Sequence, residues 1–312
     1  NKGRFFLPFL RYWIRMPEGA DIHLDSSHIR TRRALQSQGE EKLYITGTTW
    51  LGPRQRLEKH IPLALPRRGY YTFHDLTIFG GDFLGLKEQA RTFNAFREIV
   101  VYPESALQRE LAPVFGGFLG EMSVRRFIQE DPVLTLGYRE YSGREPMKTI
   151  SWTQSARRGQ LIVKQFDYTL EPSASVILNT QCQAPDRDVR LEQCFSLARS
   201  VCAQLEQKGI KYDFCMNVLT GGGARVSDHF SEGLGTGHYY GILEYLGRAT
   251  YITRRTCRAM LERAGESMRS GSGIIFITPE PDPDIDACAR RFALRVGGTL
   301  LILTARGEDG TC

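Results

Sequence analysis

The sequence lacks most of the short motifs that assign a chain to a class of enzyme. Its six histidines form neither a His-x-x-x-His nor a His-Glu-x-x-His pair, the spacings typical of zinc enzymes. No Gly-x-Ser-x-Gly element marks a serine hydrolase, and no glycine-rich loop ends in the Lys-Ser/Thr of a P-loop. No apolar run approaches the ~18 residues that a transmembrane helix needs. The sequence therefore indicates neither a zinc enzyme, a serine hydrolase, a P-loop protein nor a membrane span.

Disulfide signals are also missing. The seven cysteines include no Cys-x-x-Cys pair, and an odd number cannot all pair within one chain. Cys194, Cys202, Cys215 and Cys288 lie among apolar residues. We therefore expect small buried side chains in a reducing compartment rather than a disulfide framework.

Charge of one sign does not dominate. Lys and Arg number 41 against 35 Asp and Glu, which leaves a net charge of +6. This balance permits contact with an acidic protein or membrane surface, but it falls short of the basic footprint of a nucleic-acid binder. With 312 residues, 41% of them hydrophobic, the chain is long enough for two folded domains.

The first 110 residues read as short strands separated by Gly and Pro. The candidate strands are Phe5–Ile14, Asp21–Leu24, Lys42–Trp50, Arg56–Leu65, Gly69–Phe79 and Glu98–Tyr102. Several short strands with turn residues between them predict a β-sandwich domain over residues 1–110.

Beyond Ala174 the pattern changes to alternating strands and helices. The predicted strands are 175–179, 212–219, 273–278 and 299–304, and the predicted helices are 191–205, 238–246, 253–264 and 284–296. Val-, Ile- and Leu-rich strands that alternate with helices predict a mainly parallel sheet covered on both faces, over residues 173–312. The overall fold class is therefore a two-domain α+β protein. Residues 111–172 are a predicted connector, and the glycines of 116–120 predict a break in it.

The connector contains a basic–aromatic segment, residues 137–168. Its basic residues are Arg139, Arg144, Lys148, Arg157, Arg158 and Lys164, and aromatic and aliphatic residues alternate with them. One interpretation is a structural seam in which arginines pair with Glu140 and Glu145. The other is a docking surface, because aromatic and arginine side chains dominate protein interfaces.

The same segment resembles the domain of unknown function 58 family. The resemblance lies in Tyr141, Lys148, Ile150, Trp152, Ser155-Ala156-Arg157, Leu161, Val163 and Phe166, and upstream in Arg68-Gly69-Tyr70 and Gly81–Leu86. The family's Gly-Asp pair falls on Arg144-Glu145 here, and Phe83 stands in place of a proline.

The resemblance implies that the second half is similar to a von Willebrand factor A domain, a fold of the Rossmann type. Such domains hold Mg²⁺ through Asp-x-Ser-x-Ser after the first strand. The equivalent residues here are Asn179, Gln181 and Gln183, which offer only neutral oxygens, whereas Mg²⁺ prefers hard, anionic ones. We therefore expect the metal site to be lost, with no cofactor in its place.

The resemblance also implies a cellular location and a partner. It implies a hydrophobic anchor before Asn1, exposure of this part to the cytoplasm at the cell membrane, and partnership with a MoxR-type AAA+ ATPase. We therefore expect a non-catalytic adaptor. Its predicted partner-binding residues are Arg139, Tyr141, Lys148, Trp152, Arg157 and Arg158.

Two functions of other classes compete with the adaptor. One is a metal-dependent adhesion module that retains Mg²⁺. The other is a hydrolase, with Cys182 as nucleophile or with the adjacent residues Ser227, Asp228 and His229. Adjacent loop residues rarely face one another, which disfavours the second arrangement.

Overall fold

The computed structural model describes most of the chain. Described are residues 1–17, 29–35, 41–58, 60, 64–81, 87–106, 113–122, 135–143, 145–166, 172–222, 229–268 and 271–305. The chain forms two compact units. The N-terminal unit comprises 1–104, 220–224 and 243–250, and the C-terminal unit comprises 105–219, 225–242 and 251–312. The domain boundaries at 110 and 172 stay a prediction.

The N-terminal unit contains a five-stranded antiparallel sheet. Its strands are β1 (Leu7–Arg15), β2 (Ile29–Leu35), β3 (Glu41–Leu51), β4 (Gly69–Gly81) and β5 (Glu88–Val101), in the order β2-β3-β1-β4-β5. The register places Tyr12 directly opposite Gly47. A Cβ at Gly47 would lie 2.2 Å from the Tyr12 hydroxyl, so the glycine leaves room for the ring.

Three of the N-terminal strand predictions are confirmed, and others need correction. The predicted strand Arg56–Leu65 is not found at residues 56–58, 60, 64 and 65, and its other residues lie outside the described ones. The polar run after Pro53 offers no alternating apolar face there. The structure also adds β2 and extends β5 back to Glu88, while Asp21–Leu24 lies outside the described residues. All five strands belong to one sheet, and the described part of residues 1–104 contains no second sheet for a sandwich.

The C-terminal unit is built on a five-stranded, mostly parallel sheet. Its strands are β8 (Ser173–Leu178), β9 (Lys211–Met216), β11 (His229–Gly233), β13 (Gly273–Thr278) and β14 (Leu300–Thr304). Their order is β11-β9-β8-β13-β14, and only β11 runs antiparallel to its neighbour. The parallel pairing of β9 with β8, β8 with β13 and β13 with β14 confirms the predicted mainly parallel sheet.

Four helices connect these strands. They are α3 (Arg187–Gln207), α4 (Thr236–Arg248), α5 (Cys257–Ser267) and α6 (Pro283–Val296). The predicted helical spacing in α3 is confirmed, because Leu191, Cys194, Ala198 and Cys202 are fully buried. The start predicted for α5 at Thr253 is wrong. Residues Ala249–Thr253 form strand β12, which pairs with β10 (Val218–Thr220), and Thr256 caps the helix through its side chain.

The glycine-rich stretch of the connector is helical, not a break. Residues 113–122 form helix α1. Phe115, Phe118 and Met122 lie three and four residues apart and are all buried, so one apolar face stabilises the helix. A Cβ at Gly116 or Gly117 would have no neighbour within 4 Å, so these glycines lie on the open side.

The basic–aromatic segment folds into a small hairpin with a helix. It comprises β6 (Thr135–Glu140), a 3₁₀ turn (Met147–Thr149), α2 (Trp152–Arg158) and β7 (Ile162–Phe166), with β6 antiparallel to β7. The alternation and apolar content of the sequence from Leu161 to Tyr168 predict a strand, and β7 confirms it over Ile162–Phe166. Within the described part of the chain, no helix combines the length and the apolar character needed to cross a bilayer.

Candidate functional site

Two groups of residues in the C-terminal unit carry the functional predictions. The first lies where the parallel strands β8, β9 and β13 end, at the edge of the sheet where α/β proteins bind ligands. We call it the strand-end cluster, and its members are Asn179, Thr180, Asn217, Thr253 and Thr278. Asn179, Thr180 and Thr278 are fully inaccessible to solvent, and Asn217 is buried.

The two asparagines of the cluster bind each other. Asn217 Nδ2 donates to Asn179 Oδ1 at 2.9 Å, and the backbone N–H of Gln181 donates to the same oxygen at 3.2 Å. Asn217 Oδ1 accepts from both the backbone N–H and the hydroxyl of Thr180, at 2.7 and 2.8 Å. Asn179 Nδ2 donates to Thr278 Oγ1 at 3.3 Å. Both amide oxygens therefore have two donors each, and the buried network is neutral.

The two glutamines predicted to stand at former metal positions also form hydrogen bonds, Gln181 through its side chain and Gln183 through its backbone. Gln181 Oε1 accepts from the backbone N–H of Cys257, the first residue of α5, at 2.5 Å. It thus satisfies one of the N–H groups that a helix start leaves unpaired. The backbone N–H of Gln183 donates to Glu280 Oε1 at 2.8 Å, while the Gln183 side chain is exposed.

This donor set is a poor fit for Mg²⁺. The ion needs several hard oxygens in a tight octahedron, and the amide oxygens of Asn179 and Gln181 already accept hydrogen bonds. Glu280 supplies a carboxylate to the backbone of this loop. Nowhere among the described residues do three His, Cys, Asp or Glu side chains gather closely enough to hold a metal.

The second group is the basic–aromatic surface, formed by Tyr138, Met147, Trp152, Arg157 and Arg158. Trp152 is 62% exposed and Met147 68% exposed, and both arginines lie exposed in the last turn of α2. Neither Arg157 nor Arg158 forms an ion pair with a described residue. The predicted partner-binding residue Lys148 is exposed in the 3₁₀ turn, and Tyr141 is half-buried.

A buried serine holds this surface together. The Ser155 hydroxyl accepts from the backbone N–H of Ile162 at 2.9 Å and donates to the Ser151 carbonyl at 2.8 Å. Ile150, Ile162 and Val163 form the apolar interior beneath it. Because α2 is only seven residues long, this packing stabilises it more than its own hydrogen bonds do.

Arg139 differs from the other predicted docking residues because it has an intramolecular partner. Its guanidinium lies 2.7 Å from Glu145 Oε1. The Ser142 hydroxyl donates to the same carboxylate at 2.7 Å. This hydrogen bond, helped by backbone donors and by Arg139, lowers the pKa of Glu145 from 4.5 to about 2. The seam interpretation therefore fits Arg139, whereas Trp152 and Arg157 remain available to a partner.

The residues proposed for hydrolysis lack a clear arrangement. Burial raises the pKa of the half-buried Cys182 thiol, which disfavours the thiolate that a nucleophile needs. His229 Nε2 lies 3.1 Å from Asp213 Oδ2, a pairing that the sequence did not suggest. Ser227 and Asp228 lie outside the described residues.

The fold and these sites define the chain only as an α+β protein, with an antiparallel sheet followed by a mostly parallel sheet and its helices. No protein-family model matches the chain, and no match was found among curated proteins or solved structures.

Proposed function

We propose that this chain is a non-catalytic interaction protein whose C-terminal unit has a von Willebrand A-like architecture. The strand order β11-β9-β8-β13-β14, with an antiparallel edge strand, supports that architecture. The first predicted strand of the domain, β8, is central, as expected when helices cover both faces. The β-sandwich predicted for the N-terminal unit stays a proposal, because the described residues supply only one of the two sheets that a sandwich needs.

The observation that carries the proposal is the exposure of Trp152 among unpaired basic side chains. Large exposed aromatic side chains ringed by charge are typical of docking sites rather than of bare surface. Between Gly137 and Lys164 the sequence has six basic and two acidic residues. One of the two acids, Glu145, is already paired with Arg139.

The surplus of positive charge indicates the chemistry of the partner. We propose a protein segment that carries acidic residues around an apolar anchor, because complementary charge steers association and fixes orientation. On the resemblance alone, the first candidate is a MoxR-type AAA+ ATPase, met at the cytoplasmic side of the cell membrane. The strand-end cluster then acts as a rigid neutral support, not as a metal-dependent adhesion site.

Partner capture with matched variants tests this proposal. The immobilised chain is compared with Trp152→Ala and Arg157→Glu in extracts of the source organism, at low and high salt. Trp50→Ala and Arg290→Glu serve as controls, because Trp50 is 58% exposed in β3 and Arg290 is exposed on α6. Loss of an anchor side chain typically weakens an interface by ~2 kcal/mol or more.

The expected result is one protein that is recovered with the wild type and with both controls. Recovery with Trp152→Ala and Arg157→Glu should fall by about tenfold or more. Identification of that protein by mass spectrometry tests the ATPase assignment separately. Equal recovery with all five proteins would reject the basic–aromatic surface as the docking site.

A further inference from the structure

Large aromatic side chains lie exposed at one end of the N-terminal sheet, where β1 begins and β3 ends. Phe5 is 84% exposed and Phe9 62%, and Phe6 and Trp50 are exposed as well. The ring centroids of Phe6 and Trp50 lie 5.9 Å apart, and Phe9 and Trp50 line the same cavity. We call these four residues the N-terminal aromatic surface. Neighbouring apolar side chains that face solvent together are typical of an interaction site.

Cations border the N-terminal aromatic surface. Lys2, Arg4 and Arg54 are exposed, and none of the three forms an ion pair with a residue that the structure describes. The first 17 residues contain four basic residues and no acidic one. Arg56, close by, is paired with Glu58 and adds no net charge. The surface therefore combines apolar rings with positive charge, which favours an anionic partner.

Hydrogen bonds fix the backbone that carries these side chains. The Arg54 N–H donates to the Gly3 carbonyl at 3.1 Å. The Asn1 side chain donates to the carbonyls of Phe5 and Gly52, at 2.7 and 2.9 Å. Arg54 has a φ of 55°, a left-handed conformation that few residues other than glycine adopt. Rings and cations are thus presented on a preformed surface, which lowers the entropy cost of binding.

We infer that the N-terminal aromatic surface lies against an anionic lipid bilayer. Phe and Trp side chains enter the boundary between headgroups and acyl chains, while Lys and Arg stay among the headgroups. Anionic lipids attract each nearby Lys or Arg, so the cations and the rings act together. A bilayer deforms around a projecting ring such as Phe5, whereas a folded partner would need a matching pocket. A nucleic acid would need a larger basic footprint than this chain of net charge +6 offers.

Lipid contact and protein docking are separate properties of the chain. The N-terminal aromatic surface shares no residue with the basic–aromatic surface, and its exposure and charge do not depend on any family resemblance. Because the ligand is lipid, Trp50→Ala remains a valid control for partner capture from a membrane-free extract. Vesicles that contain no protein test the lipid contact alone, so each proposal can fail without the other.

Co-sedimentation with vesicles tests the lipid contact. Vesicles of phosphatidylcholine with phosphatidylglycerol supply an anionic surface, and vesicles of phosphatidylcholine alone supply a neutral one. Arg4→Glu reverses one cation, and Phe5→Ser removes the most exposed ring of the surface. Arg290→Glu and Leu294→Ser are the matched controls on α6, where Arg290 is exposed and Leu294 is 82% exposed.

The wild type and both controls should sediment with the anionic vesicles, and far less with the neutral ones. Arg4→Glu should weaken binding by about tenfold or more, because one cation near an anionic surface contributes about fivefold and its reversal acts twice. Phe5→Ser should weaken binding by about tenfold through lost apolar burial. No binding by the wild type, equal binding to neutral vesicles, or an equal loss in the controls would each overturn the inference. Retention of single-stranded DNA in place of vesicles would assign the surface to nucleic acid instead.

Fluorescence quenching by brominated lipids shows which tryptophan enters the bilayer. Trp50 belongs to the N-terminal aromatic surface, whereas the similarly exposed Trp152 belongs to the basic–aromatic surface. Trp50→Phe keeps an aromatic ring but should remove most of the quenching, and Trp152→Phe should leave the quenching unchanged. Quenching that is lost in Trp152→Phe and kept in Trp50→Phe would show that another surface meets the lipid, against the inference.

Discussion

Asn217 is the residue on which the strand-end cluster depends. Its side chain accepts two hydrogen bonds from Thr180 and donates to Asn179 and to the Arg255 carbonyl. It lies at the end of β9 and is buried, so its partners lose a protein hydrogen bond if the amide is removed. One side chain thus connects the ends of two strands with the loop before α5.

Asn217→Ala should therefore destabilise the protein. The buried N–H of Thr180 and the Asn179 oxygen would each lose a partner, at a cost of ~1–3 kcal/mol per unsatisfied group. We expect the free energy of unfolding in urea to fall by about 2–4 kcal/mol. Gln183→Ala, an amide removed from an exposed position in the same region, should change it by less than ~0.5 kcal/mol. Equal effects of the two substitutions would show that the cluster does not stabilise the fold.

In the N-terminal unit, we expect the stability of the fold to depend on Gly222, as it depends on Asn217 in the C-terminal unit. Its φ is +102°, and a Cβ there would lie 2.4 Å from Arg248 Nη1. Arg248 is buried, pairs with Glu98 and Glu244 at 3.0 and 2.9 Å, and lies over the Tyr70 ring. The guanidinium is held from several sides, so it cannot move to make room.

Gly222→Ala should cost both conformational strain and displacement of Arg248. Gly235→Ala measures the conformational strain without a displaced side chain, because Gly235 has a similar φ of +108° but open space around its Cβ position. We expect Gly235→Ala to lower the midpoint of thermal unfolding through strain of ~1–2 kcal/mol, and Gly222→Ala to lower it further. If Gly222→Ala is the milder substitution, the Arg248 cluster does not constrain this turn.

The sequence predicted the cluster residues only in part. The loop after β8 was located correctly, because the buried strand before it has a clear apolar run. That Asn179, Gln181 and Gln183 stand at former metal positions stays a prediction. Asn217 was missed because it lies 38 residues away from Asn179 and carries no motif of its own. Only the parallel pairing of β8 with β9 brings the two amides together.

At the scale of elements, the turn between β6 and the 3₁₀ helix has a measurable electrostatic signature. The pKa of Glu145 is lowered from 4.5 to about 2, first by the Ser142 hydroxyl and last by Arg139. A lowered pKa in the folded state means that the ionised carboxylate stabilises the turn. That contribution is fully present above pH 4.5 and is lost as the pH falls toward 2.

Carboxyl NMR titration of Glu145 tests the order of the causes. The wild-type pKa should lie near 2, and Ser142→Ala should raise it more than Arg139→Gln does, because the hydrogen bond is the larger cause. Glu140, an exposed carboxylate on β6, serves as an internal reference in the same spectra. A larger rise in Arg139→Gln would show that the ion pair, not the hydroxyl, controls the carboxylate.

Elements with a clear apolar period were predictable, and elements without one were not. Helix α3 and the buried strands β8 and β13 have the expected spacing, and the structure confirms them. Strand β5 is exposed over most of its length, so its sequence shows no alternation and only its last residues were predicted. The glycines within α1 suggested a break, but Phe115, Phe118 and Met122 supply enough burial to keep it helical.

At the scale of the whole molecule, the order of elements was the most predictable feature of the second half. Alternating strands and helices specify a parallel sheet because parallel strands need crossover connections. The first half offered no such rule. Its strands pair in the order β2-β3-β1-β4-β5, and neither that order nor the number of sheets follows from short strands and turns alone.

A protein whose strand ends are closed by neutral amides should not need a divalent cation, because the oxygens that face the edge of the sheet already accept hydrogen bonds. Recognition should then proceed through side chains on the surface of the C-terminal unit. The alternative, an adhesion module that uses Mg²⁺, requires the Asn179–Asn217 network to open and release its oxygens.

Isothermal titration of MgCl₂ into the EDTA-treated and dialysed protein distinguishes these two accounts most directly. A parallel titration of EDTA with the same MgCl₂ establishes the sensitivity of the measurement. We predict only the heat of dilution, with no saturable binding up to millimolar Mg²⁺. Saturable binding with a dissociation constant of about 1 mM or tighter, abolished by Asn179→Ala, would contradict the account.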